Sequence, residues 1–245
     1  MMREADAALH IKAGPELSVP STKAFGGQLT FMFLVALYLA QARKSISQQA
    51  LGDYVSQLRA IPDNMELALR LDRRCTEIAD RYARITDFIF FGRGPHYPVA
   101  LDGALKLKEA AYVHTEGYPG GEFKHGQITL FDDQIIAVVL ASCDPANPES
   151  MARHRRSAES AAEMSALSSH VVALVSDGDQ QVSKVAEETL YIPKSSELLL
   201  PLLEIVPLEL LAYFVAVRRG LNPDRPRNLT KAVVDERVRQ TRFSD

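Results

Sequence analysis

Tryptophan is absent from this chain, and its 245 residues include only two cysteines, Cys75 and Cys143. Two thiols so far apart make neither a metal-ligand spacing nor a disulfide framework, and they fit a reducing, cytoplasmic setting. Positive charge is not in excess: 28 lysines and arginines against 31 acids leave a formal net charge of -3. Nor is there a basic patch interleaved with aromatics, so nucleic acid is not an expected partner. The clusters Arg153–Arg156 and Arg225–Arg227 are short and read as solvated surface. The strongest apolar run, Leu29–Ala40, falls short of the ~20 residues that span a bilayer. It also lies too far inside the chain, without the right flanks, for a signal peptide. It is expected to form a buried helix, with no membrane as partner. No low-complexity tract or short-period repeat is present, and the six histidines are not spaced with acids or cysteines as metal ligands.

What is present is a soluble, core-forming composition, 47% hydrophobic and 24% charged. Near the start, Ala7–Lys12 has the pattern of a strand and is broken by Gly14 and Pro15. Ser21 and Thr22 precede a helical pattern over Lys23–Arg43 and suit its N-cap. Further helices are expected over Gln48–Asp72, interrupted near Pro62, and over Leu71–Ala83.

From there the order becomes regular. Strand Phe88–Phe91 runs into a glycine loop and a helix, Pro98–Val113. Strand Ile135–Ala141 precedes helix Pro148–Met164; strand His170–Ser176 precedes a short helix near Gln181–Glu187; strand Thr189–Pro193 precedes the apolar helix Leu198–Arg219. Continuous apolar strands alternating with helices predict a doubly wound parallel α/β sheet covered on both faces. Ligands in such folds sit at the carboxyl ends of the strands.

The chemistry-bearing residues concentrate in Leu101–Gln127, "LDGALKLKEAAYVHTEGYPGGEFKHGQ". Asp102, Lys106 and Glu109 share one face of a helix whose remaining circumference is apolar. Spacing alone fits an exposed charge pair as well as a stripe facing a polar pocket or partner chain. The "GRGPHYP" loop, Gly92–Pro98, fits a phosphate cradle or simple tight-turn geometry. His125 falls on a loop, where functional residues concentrate, while His96 and His114 carry no comparable signal. Ser21 and Thr22 can cap a helix, hold an anion, or both.

Three separated segments carry a resemblance: "AGPELSVPSTKAFGGQL", "GRGPHYPVALDGALKLKEAAYVHTEGYPGGEFKHG" and "VPLELLAYFVAVRRGLNPDRPRNLTKAVVDE". Together they resemble the isomerase half of glutamine–fructose-6-phosphate aminotransferase, which consists of two sugar isomerase (SIS) domains in tandem. The resemblance implies that Glu109 moves the proton between C1 and C2 of the sugar, with Lys106 beside it and Asp102 where the family often has Glu. It implies that His125 opens the sugar ring, from the neighbouring subunit of a homodimer, and that Lys231 forms an imine with the open-chain ketose. Val19, Ser21 and Thr230 match sugar-contacting positions. It implies no metal and no cofactor.

On this resemblance, residues 1–46 are the end of a first SIS domain, 47–78 a helical linker, 79–220 a second SIS domain and 221–245 a tail carrying the active-site lysine. The glutaminase domain is expected to be absent. So is the Ser/Thr-rich phosphate loop of the first SIS domain, because no "S-x-S-G-E/D-T"-like segment occurs. The expected function is isomerisation of fructose 6-phosphate within glucosamine 6-phosphate synthesis, with a separate chain as one source of the missing domains. The alternatives are a phosphosugar-binding module without turnover and an SIS-type glucosamine-6-phosphate deaminase.

Overall fold

The computed structural model describes residues 4, 6–167 and 170–229. It divides into two units, 1–52 with 224–245, and 53–223.

In the first unit an irregular segment leads into α1, Lys23–Ala42. Ala7–Lys12 is not a strand as expected: no ladder is assigned there, and Lys12 adopts a positive φ of 53° with its amide donating to His10 Nδ1. A strand needs a neighbour for its backbone groups, and none pairs with this segment among the described residues. Along α1 only Leu37 is buried, whereas Met32, Tyr38 and Leu39 are exposed, so the expected buried helix is a largely uncovered one. Its 20 residues are long and apolar enough to cross a membrane by length and composition, as are the 19 of the helix Leu200–Arg218 in the second unit.

The N-terminus of α1 also corrects an expectation. Thr22 occupies the N-cap position without a side-chain bond. Glu16 does the capping instead: its Oε1 accepts from the Thr22 and Ala24 amides at 2.9 and 3.3 Å, and its Oε2 accepts from Ser21 Oγ at 3.0 Å. A carboxylate thus already stands at the positive end of the helix dipole.

α2, Gln48–Leu69, carries through Pro62 rather than breaking there. Proline costs one backbone hydrogen bond, and the turns on either side remain helical. α3, Asp72–Tyr82, follows.

The second unit is built on a five-stranded parallel sheet of order β2-β1-β3-β4-β5. Its strands are β1 Asp87–Gly92, β2 His114–Pro119, β3 Ile135–Leu140, β4 His170–Ser176 and β5 Glu188–Ile192. β3 is buried at every position, which explains its unbroken apolar sequence. α4, His96–Ala111, and α6, Leu200–Arg218, pack on each other over one face of the sheet, with α3 against α6. α5, Pro148–Ala166, covers the other face; its Ala161 and Met164 meet Phe91, Val139, Val175 and Phe123 in one core. Asn147 caps α5, its side chain accepting from the Glu149 and Ser150 amides, and Pro148 takes the first turn. The short helix expected near Gln181–Glu187 is absent, because Asp179 accepts from the Gln181, Val182 and Ser183 amides in a turn.

β1 turns through α4 to β2 on one side, while β3 turns through α5 to β4 on the other. The switch point therefore falls between the carboxyl ends of β1 and β3.

Gly103 lets α4 approach both sheet and α6: a Cβ there would meet Leu208 Cδ1 at 2.7 Å and Phe90 Cε1 at 3.3 Å. Gly103→Ala is expected to destabilise by about 1–3 kcal/mol through overpacking, although alanine is the better helix former by ~1 kcal/mol. A urea unfolding midpoint checks this, and a stabilised variant contradicts it.

Candidate functional site

The α4 stripe lies on the flank of the buried face of the helix. Lys106 is 4% exposed and Asp102 and Glu109 are half-buried, so the exposed-pair reading does not hold. Lys106 Nζ stands 3.1 Å from Asp102 Oδ1. Burial raises the Asp102 carboxyl above its ordinary value, against the opposing pull of Lys106. Asp102 Oδ2 is buried without a hydrogen-bond partner among the described residues. Glu109 lies one turn beyond Lys106 and has no hydrogen bond or ion pair among the described residues. The stripe therefore joins a buried, paired cation to an uncommitted carboxylate, an arrangement suited to moving a proton at a bound molecule. Asp102→Asn removes the charge that balances a buried lysine and is expected to cost about 2 kcal/mol. Thermal unfolding checks this; an unchanged midpoint means that Lys106 does not depend on Asp102.

His125 follows β2 on a loop at the opposite end of the sheet. Phe123 anchors that loop in the core, and Lys124 Nζ ties it to Glu163 of α5 at 2.8 Å. His125 itself points outward, its side chain 71% exposed and its Nδ1 2.9 Å from Glu122 Oε2. Helix α4 runs from the carboxyl edge of the sheet back to the amino edge, so Glu109 lies near the start of β2 and His125 beyond its end. The six residues of β2 span about 17 Å at ~3.3 Å per residue. Within one chain the two residues are not brought together. Val19 and Ser21 belong to the first unit and Lys106, Glu109 and His125 to the second. Thr230 and Lys231 lie outside the described residues.

The switch point holds a polar cluster that sequence reasoning missed. At the end of β1, Gly92 admits the backbone of His96, whose carbonyl oxygen would be 2.3 Å from a Cβ. His96 is 2% exposed and its Nδ1 lies 2.7 Å from Oε1 of Glu204, a residue of α6 with no exposure. The contact is an ion pair out of line for a hydrogen bond. The same Oε1 accepts from Ser142 Oγ, at the end of β3. Beside it, Glu197 takes a two-pronged bond from Arg153 of α5, at 2.7 Å from Nε and 2.5 Å from Nη2. Burial opposes a charge on His96, but Glu204 and Glu197 outweigh it and hold the ring above its ordinary pKa. Burial likewise works against a charge on Glu197, yet the Arg153 bond keeps its carboxyl below the usual range.

This cluster decides the open reading of the "GRGPHYP" loop. The His96 and Tyr97 amides are spent on the Arg93 and Gly94 carbonyls, and Arg93 itself bonds Gly120 O and Ser160 Oγ. A phosphate entering here would meet Glu197 and Glu204 at close range, so Gly92 serves the close approach of His96, and Gly94, with a φ of 59°, a tight turn, rather than an anion cradle. The sequence signal for the cluster was weak: Glu204 is one of two acidic residues in a mostly apolar helix.

The SIS domain family model matches residues 83–219. A glutamine–fructose-6-phosphate aminotransferase (isomerizing) of Chlorobaculum tepidum is 39% identical over 234 residues, covering 96% of this chain and 37% of that protein. The protein of the same name from Bacteroides thetaiotaomicron is 40% identical over 227 residues, covering 93% of this chain and 36% of its own length. The chain thus spans little more than a third of these relatives. Among solved structures, the C-terminal domain of glucosamine-fructose-6-phosphate aminotransferase from Francisella tularensis superposes with a TM-score of 0.83 at 32% identity, covering 91% of this chain and 61% of that one.

Proposed function

The chain belongs to the SIS domain family, and from that premise we propose that it is the isomerase part of a glutamine–fructose-6-phosphate aminotransferase, taking fructose 6-phosphate as substrate. The observation that carries this reading is the α4 face, where uncommitted Glu109 stands one turn from the buried Lys106–Asp102 pair. Glu109 removes a proton from one of C1 and C2 and returns it to the other, which interconverts ketose and aldose. Lys106 lowers the cost of the anionic intermediate by its nearby charge. His125 acts on the ring oxygen to open the sugar, and Lys231 condenses with the exposed carbonyl as an imine. Thr230, Val19 and Ser21 contact the sugar.

The separation of Glu109 from His125 along β2 supports a homodimer in which each histidine serves the partner's Glu109. The carboxylates at the switch point support a second inference about the site: this domain does not hold the sugar phosphate at its own crevice, and a further domain supplies the phosphate anchor. Ammonia from glutamine likewise comes from a glutaminase domain elsewhere. Both cysteines are free and buried, and burial pushes the Cys75 thiol up to about 12, which suits a cytoplasmic setting without structural disulfides.

A phosphosugar-binding module without turnover is the second reading; the outward-facing His125, a strand's length along β2 from Glu109, favours it, since within one chain the α4 face has no ring-opening group beside it. The test is conversion of fructose 6-phosphate to glucose 6-phosphate, followed with a coupled dehydrogenase. The chain is assayed alone and mixed with the preceding segment of the Chlorobaculum tepidum relative. Turnover that appears or rises on mixing is the expected result. Thermal stabilisation by the sugar phosphate without turnover in either case selects the second reading.

A further inference from the structure

The β3, β4 and β5 strand ends enclose another crevice, distinct from both the Glu109 face and the carboxylate-filled switch point. Its volume is about 260 Å3, and its walls include Cys143, Met151, His154, Asp177, Gln181 and Lys194. An adjoining hollow that shares Pro145 and Lys194 extends it towards Gln57 and Asn64 of α2. Crevices outside the carboxyl ends of parallel strands are where doubly wound sheets take ligands. Here the neighbouring one is filled from within by Glu197 and Glu204, and this one is not.

Its polar groups are not balanced against one another. Lys194 has no hydrogen bond or ion pair among the described residues. The buried carboxylate lining the crevice, Asp179, is held by the backbone: both its oxygens accept from the Gln181 and Val182 amides at 2.9–3.2 Å. His154 is only 5% exposed, and its Nδ1 lies 2.7 Å from the Ala141 carbonyl. A carbonyl only accepts, so Nδ1 carries a proton, and Nε2 is the ring nitrogen left for a ligand. That Nε2 is 3.7 Å from Asp179 Oδ2, beyond hydrogen-bond reach. The crevice therefore presents the free cation of Lys194, the buried Nε2 of His154, the amide-held carboxylate of Asp179 and the exposed carboxylate of Asp177, with Met151 and Pro145 as apolar wall.

The geometry points to a binding site for a small hydroxylated organic anion, a polyol bearing a phosphate or carboxylate. The anion pairs with Lys194, and the hydroxyls, which both donate and accept, bond His154 Nε2 and donate to Asp177. At about 260 Å3 the space lies just below the ~300 Å3 at which drug-sized pockets begin, which restricts it to compact ligands. The site is independent of the isomerase reading, since it shares no residue with the α4 face.

Met151, on the wall, allows a direct test by methyl NMR on the full chain. Glycerol 3-phosphate, glycerate and inorganic phosphate are titrated separately. The expected result is a saturable shift of the Met151 methyl with glycerol 3-phosphate or glycerate, unchanged in Glu109→Gln. In Lys194→Met the affinity falls about tenfold or more, the loss expected for one charge-assisted bond. The other methyl resonances of Lys194→Met, kept in place, show that the variant is folded. Whichever of the two organic anions binds more tightly identifies the charged group. No Met151 shift with any probe overturns the proposal, as does a shift undiminished in Lys194→Met. Inorganic phosphate binding as tightly as glycerol 3-phosphate overturns the hydroxyl part of it.

Discussion

Replacing Glu109 by glutamine is expected to lower the conversion of fructose 6-phosphate to glucose 6-phosphate by about 10²- to 10⁴-fold, the usual contribution of a positioned acid or base. The loss should fall on kcat and leave KM nearly unchanged, because glutamine keeps the shape and hydrogen-bonding reach of the side chain but cannot take a proton. Stability should stay within about 0.5 kcal/mol of the parent. Glu109 is half-buried and holds no ion pair or hydrogen bond among the described residues, so folding does not depend on its charge. A Glu109→Gln variant that still isomerises at the parental rate would place the base elsewhere. The second test of the same geometry needs no kinetics beyond mixing. Because β2 separates Glu109 from His125 within a chain, inactive Glu109→Gln and His125→Asn chains should restore activity to each other in a mixed dimer. A cis arrangement predicts no such rescue.

Glu204→Gln should produce the largest loss of stability, about 3 kcal/mol at pH 6, with a strong dependence on pH. Glu204 has no exposure, its Oε1 is 2.7 Å from His96 Nδ1, and the same oxygen accepts from Ser142 Oγ. The groups facing His96 are Glu204 from α6, Glu197 before that helix and, beyond Glu197, Arg153 of α5. Burial alone favours the neutral ring, but the two carboxylates hold its folded pKa above the ordinary value of 6.5. A histidine raised on folding contributes stability that is complete below its unfolded pKa and is lost as pH climbs through its folded pKa. The parent should therefore lose this contribution on going from pH 6 towards pH 9. In Glu204→Gln the main opposing charge is gone, burial dominates, and acid no longer stabilises the fold. Urea unfolding of both chains at pH 6 and pH 9 should show a difference that narrows at the higher pH. An equal difference at both would mean that His96 is not charged in the native protein.

Why the chain accepts such a buried cluster follows from its position. The carboxyl ends of β1 and β3 form the crevice where a related sheet would take a ligand, and the four positive and negative groups His96, Glu204, Glu197 and Arg153 close it from inside. A buried ion pair adds little net stability over a hydrophobic replacement but fixes which groups face one another. Here it pins α4 to α6 near the start of the helix that carries Lys106 and Glu109.

The sequence by itself determined the elements whose signal is local. The unbroken apolar runs of β3 and β4, with α5 between them and its Pro148 start, were legible because burial on both faces demands apolar residues along the strands. The α4 stripe was legible as a shared face, since helical spacing alone places Asp102, Lys106 and Glu109 together. Its residues carried the resemblance to a sugar isomerase as well. Tertiary structure decided the rest. β2 reads "HTEGYP", a polar stretch with Gly and Pro, and becomes a strand only because an edge position beside β1 asks for one partner and leaves most side chains partly exposed. Ala7–Lys12 has the better strand pattern and forms none, for want of a neighbour. Glu16 rather than Ser21 or Thr22 caps α1 because the preceding loop folds its carboxylate back onto the free amides. The His96–Glu204 pair, the burial of Lys106 and the open crevice beside Lys194 depend on groups distant in sequence. Periodicity reports which side of an element is apolar. Which charges are buried together, and which are left without a partner, is set only when the helices close over the sheet.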